Sequence, residues 1–416
     1  MLFRAGLSIS ASATALAATL IAGSPAAAAP DFIHADGRRL VDGRGGDFAV
    51  KGINLGNWLV PEGYMFEFTH ARSATEIAGV IETLVGPEAA SQFWTQFRDI
   101  YIAEDDIRFI KAAGFNTVRV PLHWQLFVKP GDDGGVGAQA GDNDRFEGPG
   151  WPLLDRLVQW CRQAGLRVII DLHAAPGGQT GVNHDDGSGF PLTFYVPRYR
   201  RLTIALWQQL AAHYRDEPAV LGYDLLNEPI SPYSDENYLN PRLEPLYRDI
   251  VAAIRRVDPN HLVFLAGAQW STNFAVFGPP FDGNAIYTYH KFWAKPTRAA
   301  LQDYLDFGNR WNVPLLIGET GEYTDDWNQK FRRLNEQSGI GWCFWPYKSL
   351  DTKTAVVSIQ KPAGWDLIAK AGSAGTDPLP PRAQAQAILD AYLQAARFRN
   401  VRVNASYLNS LGLTAP

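Results

Sequence analysis

IAEDDIRFIKAAGFNTVRVP (Ile102–Pro121) and PLLDRLVQWCRQAGLRVIIDL (Pro152–Leu172) each read as a helix, a glycine and a short apolar strand, in that order. Apolar residues recur at helical spacing over Ile102–Ala113 and Pro152–Ala164. Gly114 and Gly165 then stand where a helix closes through a left-handed residue. The runs behind them, Thr117–Pro121 and Arg167–Leu172, are mostly branched and apolar, as buried strands are.

The same order extends in both directions. Further strands are expected at Val50–Leu55, Leu221–Leu226, Leu262–Ala266, Ala285–Tyr289, Pro314–Gly318 and Gly341–Trp345. Helical patterns lie between most of them, at Tyr199–Tyr214, Leu243–Val257, Arg298–Trp311 and Trp327–Ser338. Eight strands alternating with helices predict parallel pairing and an α/β fold closed into a (β/α)8 TIM barrel. An open doubly wound sheet is the competing architecture, but no G-x-G-x-x-G follows the first strand and no G-x-x-x-x-G-K occurs. Two Asp-Gly pairs within Phe32–Asp47 predict an N-terminal β-hairpin that closes the barrel floor. Asp377–Pro381 is a proline-rich lead into a last helix, Ala383–Ala396. With no second domain in sight, 30–416 is read as a single catalytic domain.

The 416 residues carry a net charge of −5 without any long basic stretch, which argues against nucleic acid and membrane surfaces as partners. A basic start (Met1–Arg4), an apolar run (Leu7–Ala22) and Ala26–Ala29 read as a secretory signal peptide over 1–29, so the mature chain is expected to be secreted or periplasmic. It is taken to be a monomer. Cys161 falls in a helix pattern and Cys343 in a strand, in different layers of a barrel, which predicts two buried free thiols.

Barrels of this kind gather their chemistry at the C-terminal ends of the strands. Those ends read Arg119, Asp171-Leu-His173, Asn227-Glu228-Pro229, His290, Glu319 and Trp345. Glu228 and Glu319 stand 91 residues apart, about three βαβ units of roughly 30 residues. That spacing puts them on the fourth and seventh strands, facing each other across the mouth. Glycoside cleavage needs such a pair: a carboxylic acid to protonate the departing oxygen, and a carboxylate to attack or to activate water. In the retaining route the two carboxyls stand about 5 to 5.5 Å apart. Their mutual repulsion keeps one of them protonated.

Over about Val50–Leu350 the chain resembles glycoside hydrolase family 5. Asn227-Glu228-Pro229 matches the family's acid/base motif and Ile317-Gly318-Glu319 its nucleophile strand. The resemblance implies a retaining hydrolase without cofactor or metal. In it Arg119 orients the nucleophile, His173 lines the glycone subsite, and Asn227 holds the sugar 2-hydroxyl. His290 matches a histidine after the sixth strand, and Trp345 an aromatic platform after the eighth. Where the family carries a tyrosine two residues after that histidine, this chain has Phe292. Either Tyr287 or Tyr289 supplies the missing hydroxyl, or the nucleophile relies on Arg119.

A narrower likeness lies in Gly52-Ile-Asn-Leu-Gly-Asn-Trp58-Leu-Val, Asp171-Leu-His-Ala-Ala-Pro-Gly-Gly-Gln179 and Gly341-Trp-Cys-Phe-Trp-Pro-Tyr-Lys348, which look like the exo-1,3-β-glucanase branch. It implies a β-glucan polysaccharide or oligosaccharide as substrate. The alternatives are an endo-β-1,4-glucanase (cellulase), a mannanase, and a carbohydrate-binding barrel that has lost activity. Trp58, Trp124, Trp270 and Trp293 lie near strand ends, where they are either sugar platforms or core. Glu322 is read as a sugar contact or a solvated loop carboxylate. His184-Asp185-Asp186 is read as solvated or substrate-facing rather than as a metal site.

Overall fold

The computed structural model describes residues 31–131, 144–371 and 379–416. The expected signal peptide and the first two residues of the Asp377–Pro381 lead lie outside them. After a hairpin of β1 (His34–Asp36) and β2 (Arg39–Val41) come eight strands. They are β3 (Lys51–Asn54), β4 (Thr117–His123), β5 (Arg167–Ala174), β6 (Val220–Asp224), β7 (Leu262–Ala266), β8 (Ala285–His290), β9 (Leu315–Gly321) and β10 (Gly341–Trp345). They close in the order β10-β3-β4-β5-β6-β7-β8-β9, and every neighbouring pair is parallel. This is the expected (β/α)8 barrel.

Strand alternation sorts the side chains into two cores. Val50, Ile169, Leu221, Leu262, Phe264, Ile286, Leu316 and Cys343 fill the lower barrel interior, and Ile33 from the hairpin joins them. Ala35, Leu40 and Phe48 pack beneath, and the Ala35 amide donates to Asn284 Oδ1 at 2.9 Å. The hairpin therefore plugs the floor. A larger core lies between strands and helices and contains Cys161, so the two cysteines are buried, free and in different layers.

Three parts of the fold differ from the sequence expectation. The helix expected from Leu243 runs over Glu236–Arg255, passing through Pro241 and Pro245, residues that ordinarily end a helix. Two helices, Ala74–Val85 and Pro87–Ile100, sit between β3 and β4, the first opened by a capping box of Ser73 and Glu76. Finally β11 (Lys348–Leu350), β12 (Val357–Ile359) and β13 (Arg402–Val403) form a small separate sheet. The last helix, Arg382–Ala395, lies against the two inserted helices, with Tyr392 stacked on Trp365 and close to Phe66 and Phe97. No described helix is long and apolar enough to cross a membrane.

Candidate active site

Arg119 is the centre of the barrel mouth. It is fully buried, and its planar guanidinium reaches five side chains. Nε donates to Asp224 Oδ2 at 2.9 Å, and the second terminal nitrogen donates to Asn227 Oδ1 at 2.9 Å and forms an ion pair with Asp171 Oδ1 at 3.0 Å. The first terminal nitrogen reaches Asn54 Oδ1 at 3.0 Å and Glu319 Oε1 at 2.5 Å. Only arginine offers enough donors in one plane for such a hub. Burial opposes its charge, but Asp171, Asp224 and Glu319 outweigh burial and hold it cationic.

His173 is fixed by two contacts. Its Nδ1 lies 2.8 Å from Asp171 Oδ2, and its Nε2 lies 3.3 Å from the Asn227 amide nitrogen. With burial lowering its pKa to about 4, the ring is neutral. It then donates from Nδ1 and accepts at Nε2. Gln179 braces the same corner, donating to the His173 and Asn227 carbonyls at 2.7 and 2.8 Å.

Glu228 follows β6 on left-handed backbone (φ 45°), a conformation that non-glycine residues hold only when their surroundings impose it. Its Oε1 lies 2.9 Å from His290 Nδ1. One carboxyl oxygen of Glu228, one of Glu319 and a ring nitrogen of His290 lie within 4.8 Å of one another. Burial raises the pKa of both carboxyls. Glu319 is then drawn back by His290, by Arg119 in direct contact, and by His173, whereas Glu228 has only His184 and the more distant Arg119. Glu319 thus has more neighbours that favour its charged form than Glu228 has, against the repulsion of Glu228 itself.

Of the residues expected here, Arg119, His173, Asn227, Glu228, His290 and Glu319 come together. Trp345 joins them, stacked on His173 with ring centroids 5.7 Å apart and donating from Nε1 to the Tyr64 hydroxyl at 2.6 Å. Others do not. Trp58 is core, its indole donating to the Arg98 carbonyl at 2.8 Å. Tyr289 points into the helix layer, where it stacks on Tyr304 and its hydroxyl donates to Asn335 Oδ1. Tyr287 packs among Phe274, Phe277 and Phe307. Neither tyrosine supplies a hydroxyl to Glu319. Trp124 is half-buried, packed against the core beside the site. Asp185 is buried rather than solvated and accepts from the amides of Thr180, Gly181 and Gly187.

Besides Asp224 and Tyr64, two further contributors were not singled out from the sequence. Asn54 donates to the carbonyls of Gly318 and Phe344, at 3.1 and 3.0 Å, while holding Arg119. A polar residue closing the apolar run Gly52-Ile-Asn was its signal. Glu62 is buried with Oε1 unpartnered, and its carboxyl is pushed well up by burial and by the charges of Glu319, Glu322 and Glu228. Glu322 is likewise raised to about 7 by burial, against a hydrogen bond from Tyr64. Four glutamates, beside Asp171 and Asp224, therefore crowd one mouth.

The family model for cellulase (glycosyl hydrolase family 5) matches residues 80–351. A β-xylosidase of Phanerodontia chrysosporium is 31% identical over 67% of this chain and 52% of its own. A probable glucan 1,3-β-glucosidase A of Aspergillus fumigatus is 30% identical over 54% of this chain and 51% of its own. The chain thus spans about half the length of these relatives. Among solved structures, AoRut superposes with a TM-score of 0.57 at 18% identity, covering 74% of this chain and 91% of that one. Thermotoga maritima Cel5A in complex with cellobiose gives 0.53 at 17%, covering 86% and 96%, a likeness of fold. With the barrel, the mouth and the family match taken together, the chain belongs to glycosyl hydrolase family 5.

Proposed function

We propose that this protein is a retaining β-glycosidase that releases sugars from the ends of β-glucan chains, as exo-1,3-β-glucanases do. The observation that carries the reading is the close approach of the Glu228 and Glu319 carboxyls, within 4.8 Å at their facing oxygens. That suits the retaining separation of about 5 to 5.5 Å and leaves no room for the water that an inverting pair at about 6.5 to 9.5 Å must admit. Glu319, held by Arg119, attacks the anomeric carbon while Glu228 protonates the departing oxygen. Glu228 then takes a proton from water, which displaces Glu319 and restores the original configuration. Asn227, pinned by Arg119 and His173, presents its amide to the sugar.

The chain-end preference is supported by the relatives named glucan 1,3-β-glucosidase. The Trp345–Tyr64 bond adds to this by tying the segment after β3 to the end of β10. The relative named β-xylosidase favours a second reading, in which the sugar released is xylose. In this reading residues 1–29 serve as a secretory leader and the protein acts outside the cell.

Two experiments test this. Glu319→Ala is expected to abolish turnover. Glu228→Ala is expected to lose about 10²- to 10⁴-fold on substrates with poor leaving groups and little on activated aryl glycosides, which need no proton. Near-normal rates in Glu319→Ala would refute the roles. A product profile over β-1,3-, β-1,4- and β-1,6-glucans, mannan and xylosides settles the substrate: single glucose units from laminarin support the exo reading. Mixed oligosaccharides from soluble cellulose derivatives or mannan would replace it with an endo-acting one.

A further inference from the structure

The two oxygens of the Glu228 carboxyl have different company. Oε1 lies 2.9 Å from His290 Nδ1, within a hydrogen bond. His290 is buried, and burial lowers its pKa to about 3, so the ring carries one N–H. Its Nε2 has no partner. A proton there would be a buried donor without an acceptor, so the N–H sits on Nδ1 and is donated to Oε1. The acid proton of Glu228 therefore belongs on Oε2. That oxygen faces His184 Nε2 at 3.5 Å, beyond a true hydrogen bond, and His184 Nε2 is itself buried and unpartnered.

The position of His184 is built into the fold. Asp185, beside it, gathers three loop amides. The imidazole stands edge-on to Trp270, with ring centroids 6.2 Å apart. Gln269, Trp270 and Ser271 are all left-handed, with φ of 49°, 56° and 61°, and the Trp270 amide donates to the carbonyl of Ile230, two residues beyond Glu228. Three consecutive non-glycine residues in that region are costly and persist only where the surroundings over-determine them. The strained turn ties the ring that supports His184 to the segment that carries Glu228.

Resting on the assignment of Glu228 as acid/base, we propose that His184 is a positioning residue that governs the proton on Glu228 Oε2. The groups facing Glu228 are His184 from the loop after β5, His290 from β8, Glu319 from β9, Arg119 from β4, Asp171 from β5 and Glu62 from the segment after β3. Glu319 and Glu62 disfavour a second negative charge. Apart from Arg119, which is committed to Glu319, Asp171 and Asp224, His184 is the group that offsets them at Oε2. Its attraction acts against burial to draw the carboxyl down. During the second half of the cycle, when Glu228 acts as base, the same ring steadies the carboxylate. The 3.5 Å separation is of the kind that tightens once substrate is bound.

The test is the pH dependence of kcat/KM. His184→Gln keeps a polar group beside Oε2 and removes the attraction of the imidazole, so the alkaline limb should move upward by at least about 0.5 pH unit. A limb that stays in place or moves down overturns the proposal. An independent readout in protein labelled with ¹⁵N-histidine follows His184 itself. Its ring nitrogen signals should move in Glu228→Gln, and unmoved signals overturn the proposal as well. The two levels separate cleanly. An unmoved limb in His184→Gln, with Glu228→Ala still sensitive to the leaving group, removes only the role of His184. Leaving-group insensitivity in Glu228→Ala removes the acid/base assignment on which it rests.

Discussion

At the scale of single residues, Arg119 is where structure and chemistry meet. It joins β3, β4, β5, β6 and β9 through Asn54, Asp171, Asp224 and Glu319, and extends to Asn227 just beyond β6. Removing one partner of a buried ionic cluster leaves uncompensated charge, so Arg119→Ala should lose about 3 to 5 kcal/mol in denaturant unfolding. Arg119→Lys keeps the charge but cannot fork, and should lower both stability and kcat/KM. A lysine variant equal to the original in both would show that the hub does not order Glu319. The sequence announced this site through polar residues closing apolar strands, and Arg119, His173, Asn227, His290 and the two glutamates could be read that way. Glu62 could not. It lies past a strand end in Val-Pro-Glu-Gly, and only the closure of the ring carries that segment back over the mouth.

At the scale of elements, the period of two decides which aromatic residues reach the mouth. On β8, Ile286, Thr288 and His290 face the barrel axis while Tyr287 and Tyr289 face the helices. An apolar run such as Ala285–Tyr289 does not reveal that parity by itself, so Tyr289 was expected in the site although it belongs to the outer layer. The inserted helices were missed for a similar reason, since they pack on the last helix, far along the chain, rather than on a neighbouring strand. The segment after β3 places its backbone directly against Trp345. A Cβ at Gly56 would stand 2.6 Å from two atoms of that indole. Gly56→Ala should therefore displace Trp345 from His173 and Tyr64, costing about 1 to 3 kcal/mol of overpacking and lowering kcat/KM. Combining it with the smaller ring of Trp345→Phe should recover part of the stability, a coupling visible in a double-mutant cycle. Strictly additive losses would mean that the two groups do not press on one another.

At the scale of the whole molecule, the barrel separates a dry floor, sealed by the hairpin around Ile33, from a mouth crowded with buried titratable groups. That division gives stability a direction in pH. His173 and His290, lowered by burial to about 4 and about 3 from 6.5, bind fewer protons folded than unfolded, so their terms raise stability as pH climbs towards 6.5 and add nothing beyond it. The carboxyls act in the opposite sense. Burial raises Asp171 and Asp224 to about 7 from 3.8 and Glu322 to about 7 from 4.5, and pushes Glu62 well above 4.5. Each holds a proton when folded that the unfolded chain has released, and each loses stability as pH rises from its unfolded pKa to its folded one. These four carboxyls, joined by Glu228 and Glu319, which burial also raises, oppose two histidines below pH 6.5, and above it the histidines no longer offset them. Tm should therefore be higher at pH 5 than at pH 8. Glu62→Gln removes one of the four and should narrow that gap, raising Tm at pH 8 relative to the original protein and leaving it nearly unchanged at pH 5. Calorimetry across this range decides the matter. A Tm that climbs steadily from pH 5 to pH 8 would mean that these carboxyls are ionised in the folded state, and that the mouth is more open to water than its packing indicates.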